Sequence, residues 1–243
     1  DDYETLAGRV LRRHNAISSV LESCLALLGD EKAKADPVFV AALSDVIRCW
    51  GGHPGPEIRA AQILSLACRD QGYSARIHQA FARYRLVDSG IQRVFSTGIP
   101  QVDKLPVENW VVFYLGRTLG YLADADSADT LIAALENSPS EAAAGRPDPL
   151  GPGMLFLHNE LTPCWRAATA WALGEIGDAR AVPILLRIVG DLNYATDTRH
   201  AAARALGKLA DPGTRKHLHD LAREYPERST RMALLEAAGA SVR

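Results

Sequence analysis

Apolar positions along this chain recur at the step of helices rather than of strands. Between residues 3 and 28 they fall at Leu6, Val10, Ile17, Leu21, Leu25 and Leu28, with Val20 and Cys24 beside them. Steps of three, four and seven predict one long amphipathic helix, stopped by Gly29-Asp30. Asp36 ahead of Pro37 has the N-cap pattern of a second helix reaching Trp50, and the Gly- and Pro-rich stretch 51–56 reads as a tight turn. Helices follow over 57–70 and 73–86. The stretch 87–106, with Gly90, Gly98, Pro100 and Pro106 and no sustained period, predicts a loop. Helices resume over 108–122 and 127–136, and again over 179–189, 196–209, 214–224 and 228–238.

Within the C-terminal third one helical phrase occurs three times: RAATAWALGEIGD from Arg166, RHAAARALGKLAD from Arg199 and RMALLEAAGA from Arg231. These anchors are 33 and 32 residues apart. Such a period marks stacked helix pairs, because one pair cannot bury its apolar face without a neighbour. Setting Leu66, Leu119, Leu173, Leu206 and Ala238 equivalent aligns all repeats. Small residues four apart then fall at Ala61/Ser65, Ala168/Ala172, Ala201/Ala205 and Ala233/Ala237, which lets helices approach closely. One position after the anchor stand Ala67, Gly120, Gly174, Gly207 and Gly239, where glycine is expected to end the helix with positive φ. From Leu119 to Leu173 is 54 residues, 21 more than the 33-residue period, so 137–161 is an insertion. It includes the apolar run Met154-Leu155-Phe156-Leu157.

Repeats of the form RxAAxALGxxGDxxAVPxLL resemble HEAT repeats, and in particular the subclass called PBS-lyase HEAT-like repeats. The resemblance is close over 162–239, looser over 37–136, and absent from 87–106 and 137–161. It implies an all-α, right-handed α-solenoid of about five helix pairs behind an N-terminal helix, filling residues 1–243 as a single domain. Outer helices would form the convex face and inner helices line the concave one. In such repeats the arginine opening each inner helix pairs with acidic residues of the turns, which makes Asp191 and Asp197 the expected partners of Arg199 and Arg166. Because the chain opens on Asp1-Asp2, it is expected to be part of a longer protein.

Charge and composition narrow the function classes. Lys plus Arg at 27 against Asp plus Glu at 29 supplies no global field for phosphate, so nucleic acid is not an expected partner. No run of about 18 apolar residues exists to span a bilayer. The four cysteines lie far apart with no CxxC, which predicts buried free thiols. No GxSxG, HExxH or P-loop occurs. His217 and His219, two apart, point to different helix faces, and His158-Asn159-Glu160 is the nearest approach to the His-Glu pairs of the di-iron HEAT hydroxylases. No metal, cofactor or catalytic residue is expected.

What remains is a surface. Two positions before the anchor stand Arg117, Trp171 and Arg204; one turn on come Tyr121, Glu175 and Lys208; one turn back come Phe113 and His200. Together they predict a mixed aromatic and basic stripe across three inner helices, with Phe156 and His158 of the insertion as further candidates. Exposed Trp, Tyr and Arg anchor interfaces. The competing expectation is that Met154 to Leu157 folds over Trp171 and extends the core. The reading is a non-catalytic interaction or scaffold module whose partner is a protein, either another chain or another domain of the same polypeptide. The alternative, from the subclass name, is a bilin lyase or related chromophore-handling enzyme.

Overall fold

The computed structural model describes residues 17–29, 35–49, 56–84, 95–96, 99–100, 107–140 and 164–239. The helices, in chain order, are α1 (17–28), α2 (Pro37–Cys49), α3 (Pro56–Ala67), α4 (Ser74–Arg83), α5 (Val107–Leu122), α6 (Ala128–Glu136), α7 (Trp165–Ile176), α8 (Val182–Gly190), α9 (Thr196–Leu209), α10 (Pro212–Glu224) and α11 (Arg228–Ala237). The fold is all-α, an α-solenoid. Helices α3, α5, α7, α9 and α11 form an inner row in which each packs along the next, and α4, α6, α8 and α10 each lie on the inner helix that follows. With α2 on α3, the described residues hold five helix pairs behind α1. Neighbouring outer helices are joined by side-chain bonds, His78 with Thr130 at 2.7 Å and Arg187 to the Leu135 carbonyl at 3.4 Å, whereas the inner helices pack backbone close to backbone.

The boundaries follow from local chemistry. Asp36 accepts a hydrogen bond from the Val38 amide at 2.9 Å and starts α2 as expected. Helix α10 begins at Pro212 rather than Thr214, because Asp211 accepts from the Thr214 amide at 2.6 Å and Pro212 fits the first turn. Helix α3 stops at Ala67, short of the expected Asp70, because Asp70 is extended and caps the next turn, accepting from the Gly72 amide at 2.8 Å. Asp178 does the same for Arg180. Residues 51–55 of the expected turn, the start of the first helix over 3–16, and the insertion residues Met154 to His158, Phe156 among them, lie outside the described residues, while Pro56, the last residue of that expected turn, opens α3. The stretch expected to be a loop holds one short antiparallel pair, Phe95–Ser96 with Ile99–Pro100, in register Phe95 with Pro100 and Ser96 with Ile99.

The core runs between the two rows. Leu115, Leu119, Leu173 and Leu206 of the inner helices are buried against Leu131, Leu135, Leu185, Ile188 and Leu218 of the outer ones. Each such side chain contributes about 1.5–3 kcal/mol by leaving water. The register holds from α5 onward but slips in the first pair. Leu66 is 72% exposed, whereas Leu64 is 0% exposed and takes the core place. Leu64 and Leu66 are both apolar, and packing between α2 and α5 selects the first.

Of the glycines after the anchors, Gly239 follows the end of its helix with positive φ as expected, whereas the three before it, contrary to expectation, do not end helices. Gly120, Gly174 and Gly207 lie within α5, α7 and α9. A β-carbon on Gly120 would stand 2.9 Å from Cα of Ala172, on Gly174 2.7 Å from Cα of Ala205, and on Gly207 3.0 Å from Cα of Ala237. Each glycine is thus the flat place on which the small residue of the next inner helix rests. Among the described residues, the left-handed residues that stop helices are Ala123 after α5, at φ 49°, Gly177, at φ 85°, and Gly239, at φ 75°.

Candidate interaction surface on the inner helices

The repeated phrase of α7, α9 and α11 begins with an arginine, and the one in α9 is a joint between repeats. Arg199 is buried and donates to Glu227 at 2.5 Å, to the carbonyl of Leu192 at 3.3 Å, and to that of Tyr194. Its carboxylate partner is therefore Glu227, from the turn after α10, and not Asp191. The Asp191 side chain instead folds into its own turn, accepting from the Asn193 amide and side chain at 2.9 and 2.8 Å. Glu227 also accepts from Thr196 at 2.9 Å and Thr230 at 2.6 Å. Burial alone would push its carboxyl up, and the hydrogen bonds from Thr230, Arg199 and Thr196 outweigh that and hold it below the usual range. Arg166 is likewise buried, with its guanidinium 4.5 Å over the Trp165 ring.

The predicted stripe is one contiguous surface over α5 and α7. Phe113, Arg117 and Tyr121 stand one turn apart on α5. Arg117 donates to the Tyr121 hydroxyl at 2.8 Å and lies 5.8 Å from the centroids of both the Phe113 and Tyr121 rings. Tyr121 meets Trp171 of α7 edge to face, centroids 5.0 Å apart at 67°. Trp171 reaches that place because Gly120 has no side chain: a β-carbon there would stand 2.5 Å from Cζ3 of the indole. Trp171 is half-buried and Tyr121 is 39% exposed, so the pair offers aromatic area to solvent.

Farther along, Glu175 of α7 is ion-paired with Lys208 of α9. Arg204 is exposed. His200 departs from the expected solvent-facing stripe: it is half-buried, and its Nε2 is shielded with no hydrogen-bond partner. Burial pushes its imidazole below the ordinary range; Glu227 and Glu236 oppose that and Arg204 and Arg199 add to it. Beside α9 the stripe thus combines one ion pair, an exposed guanidinium and a half-buried ring.

Sequence reasoning missed Arg69, Arg59 and Leu66. The Arg69 guanidinium donates to the carbonyls of Ser65 and Cys68 at 3.1 and 2.6 Å, closing the end of α3, and lies 4.3 Å from the Tyr121 centroid. Tyr121 is therefore held between Arg69 on one side and Trp171 on the other. Arg59 donates to the Gln62 carboxamide one turn along α3. The available signal was the step Arg59, Gln62, Leu66, Arg69 along one face, hidden by placing Leu66 in the core.

Among the described residues, no group of three or more His, Cys, Asp or Glu is arranged to hold a metal ion, and no helix is long and apolar enough to cross a membrane. Cys24 and Cys68 are buried free thiols and Cys164 is a half-buried one, its Sγ 3.0 Å from the Thr198 hydroxyl. A family model for HEAT repeats matches residues 156–239. That stretch takes in α7 to α11, and with them the contacts of Gly174 with Ala205 and Gly207 with Ala237 and the Arg199 to Glu227 joint. No curated protein matches the chain. HEAT repeats commonly serve as scaffolds for protein contacts.

Proposed function

We propose that this chain is a non-catalytic interaction module, one domain over residues 1–243, which takes a protein partner on the concave face of its inner helices. The partner is another chain or another domain of the same polypeptide. The observation that carries the reading is the Tyr121 and Trp171 pair, two large aromatic side chains left partly outside the core and braced by Arg69 and Arg117. Rigid aromatics flanked by arginine are what interface centres are made of. The phrases LGYLAD, LGEIGD and LGKLAD support placing the repeats in the PBS-lyase HEAT-like subclass.

The test is capture of binding proteins by the intact chain and by Trp171→Ala, with helicity followed by circular dichroism. Loss of a specific partner at unchanged helicity supports the reading. A collapse in thermal stability with binding unaltered makes Trp171 a core residue and removes the proposal. Uptake of a bilin with a change in its absorbance would replace it by the chromophore-lyase reading.

A further inference from the structure

The interaction surface has a charge pattern that specifies more about its partner than its aromatic content does. Some basic side chains of this chain meet carboxylates, Lys208 with Glu175, Arg199 with Glu227, Arg76 with Glu22, and Arg180 with Asp129 and Asp178, while others, Arg187 and Arg215 among them, donate to backbone carbonyls. Among the described residues, the three arginines around Tyr121 meet no carboxylate and stand together. Arg59 donates to the Gln62 carboxamide, Arg69 to backbone carbonyls, and Arg117 to the Tyr121 hydroxyl, and no carboxylate pairs with any of the three among the described residues. Arg59 lies on the same face of α3 as Gln62 and Leu66, at the helical steps of three and four, Arg69 follows at the next such step, and Arg117 lies one turn from Tyr121 on α5. Beside them stand the exposed ring of Tyr121, the half-buried ring of Trp171 and the side chain of Leu66, 72% exposed.

Resting on the interaction-module reading above, we infer that the face formed by α3, α5 and α7 binds an acidic segment of a partner protein, with carboxylates on Arg59, Arg69 and Arg117 and an apolar side chain against Tyr121, Trp171 and Leu66. Charge complementarity supports a carboxylate, since guanidinium forks match its two oxygens. The limited extent of the patch supports a short peptide segment over a nucleic acid. A phosphate backbone continuing along the inner row would meet Glu175 on α7 and the exposed Glu236 on α11, and the chain as a whole carries no excess of basic residues. The aromatic pair supplies the apolar contact that distinguishes such a segment from a free anion.

The test uses two fluorescein-labelled peptides of equal length, glutamates flanking a leucine in one and glutamines in their place in the other, titrated with the full chain. The glutamate peptide is expected to bind at least tenfold more tightly, and its affinity to fall as salt rises from 50 to 300 mM, roughly as screening of partly exposed charges requires. The double variant Arg69→Gln, Arg117→Gln is expected to abolish the difference, while Arg180→Gln on the outer row keeps it. Equal binding of the two peptides, absence of binding by either, preference retained in the double variant, or stronger binding of a single-stranded oligonucleotide would each overturn the inference. Should the double variant unfold, the salt dependence and glutamate preference of the unaltered chain decide the matter alone. Equal binding of both peptides that is still lost in Trp171→Ala leaves the interaction reading standing and removes only its acidic specificity.

Discussion

Arg199 of α9 holds the Glu227 carboxylate, 28 positions farther along the chain, at 2.5 Å across the boundary between two repeats. Both side chains are nearly withdrawn from water, and Thr196 and Thr230 complete the carboxylate's hydrogen bonds. Removing one member strands the other. Arg199→Ala is expected to lower unfolding free energy by about 3–5 kcal/mol, read from urea unfolding, and Glu227→Gln by less because its amide still accepts from the threonines.

The same carboxylate ties stability to acid. Its pKa is held below the unfolded value, so its contribution is complete above the ordinary glutamate range and is lost as pH falls through the folded value. Between pH 7 and pH 3 the thermal midpoint of the intact chain should therefore fall more than that of Glu227→Gln.

His200 adds an acid-sensitive term of its own. Its folded pKa is depressed, mainly by burial, so the neutral ring is the stable form and protonation opposes folding. The facing charges, Glu227, Arg204, Arg199 and Glu236, leave that sign unchanged. A proton titration followed by NMR should place this histidine below the ordinary imidazole range, and His200→Gln should flatten the loss of stability as pH falls below 6.5. A titration at or above that range would show the ring to be solvated.

A glycine series measures how closely the inner helices nest. Gly174→Ala puts a methyl 2.7 Å from the Ala205 backbone and should cost about 1–3 kcal/mol despite alanine's better helix propensity. Gly207→Ala, at 3.0 Å, should cost less. Gly190, with nothing within 4 Å of its would-be methyl and no positive φ, should gain about 0.5–1 kcal/mol on the same change. Equal effects at all three sites in thermal denaturation would mean that the small residues are not in contact.

Burial pushes the Cys24 thiol up to about 12. At pH 8 the native chain should leave Cys24 unlabelled by iodoacetamide for hours, and urea should expose it. Prompt native labelling would show that α1 separates readily from α4, where Arg76 meets Glu22 at 2.6 Å and Arg83 donates to the Leu28 carbonyl at 3.3 Å.

Where the repeat phrase is strong, the sequence was enough: α9 spans Thr196–Leu209 as its periodicity predicts, and Ala205, one of the small residues expected to let helices approach, does lie against its neighbour. Three things lay beyond it. Leu64 and Leu66 are equally apolar, and only the neighbouring helices decide which is covered. The partner of Arg199 is a glutamate one repeat away, while Asp191, closer in sequence, is occupied by its own turn. Glycine at the end of a repeating phrase has two uses, stopping a helix or seating a neighbour, and composition does not distinguish them. The stripe was legible as residue types, since Tyr121, Trp171 and Arg117 do come together, but Arg69 entered it only through the way α3 ends.

The outer row is tied by single side-chain bridges, His78 to Thr130 at 2.7 Å, Arg187 to the Leu135 carbonyl at 3.4 Å and Arg180 to Asp129 at 2.7 Å, while the inner row nests backbone against backbone. The spacing of the rungs that carry Tyr121 and Trp171 is therefore set by glycine and alanine, a ruler whose pitch any larger side chain would stretch.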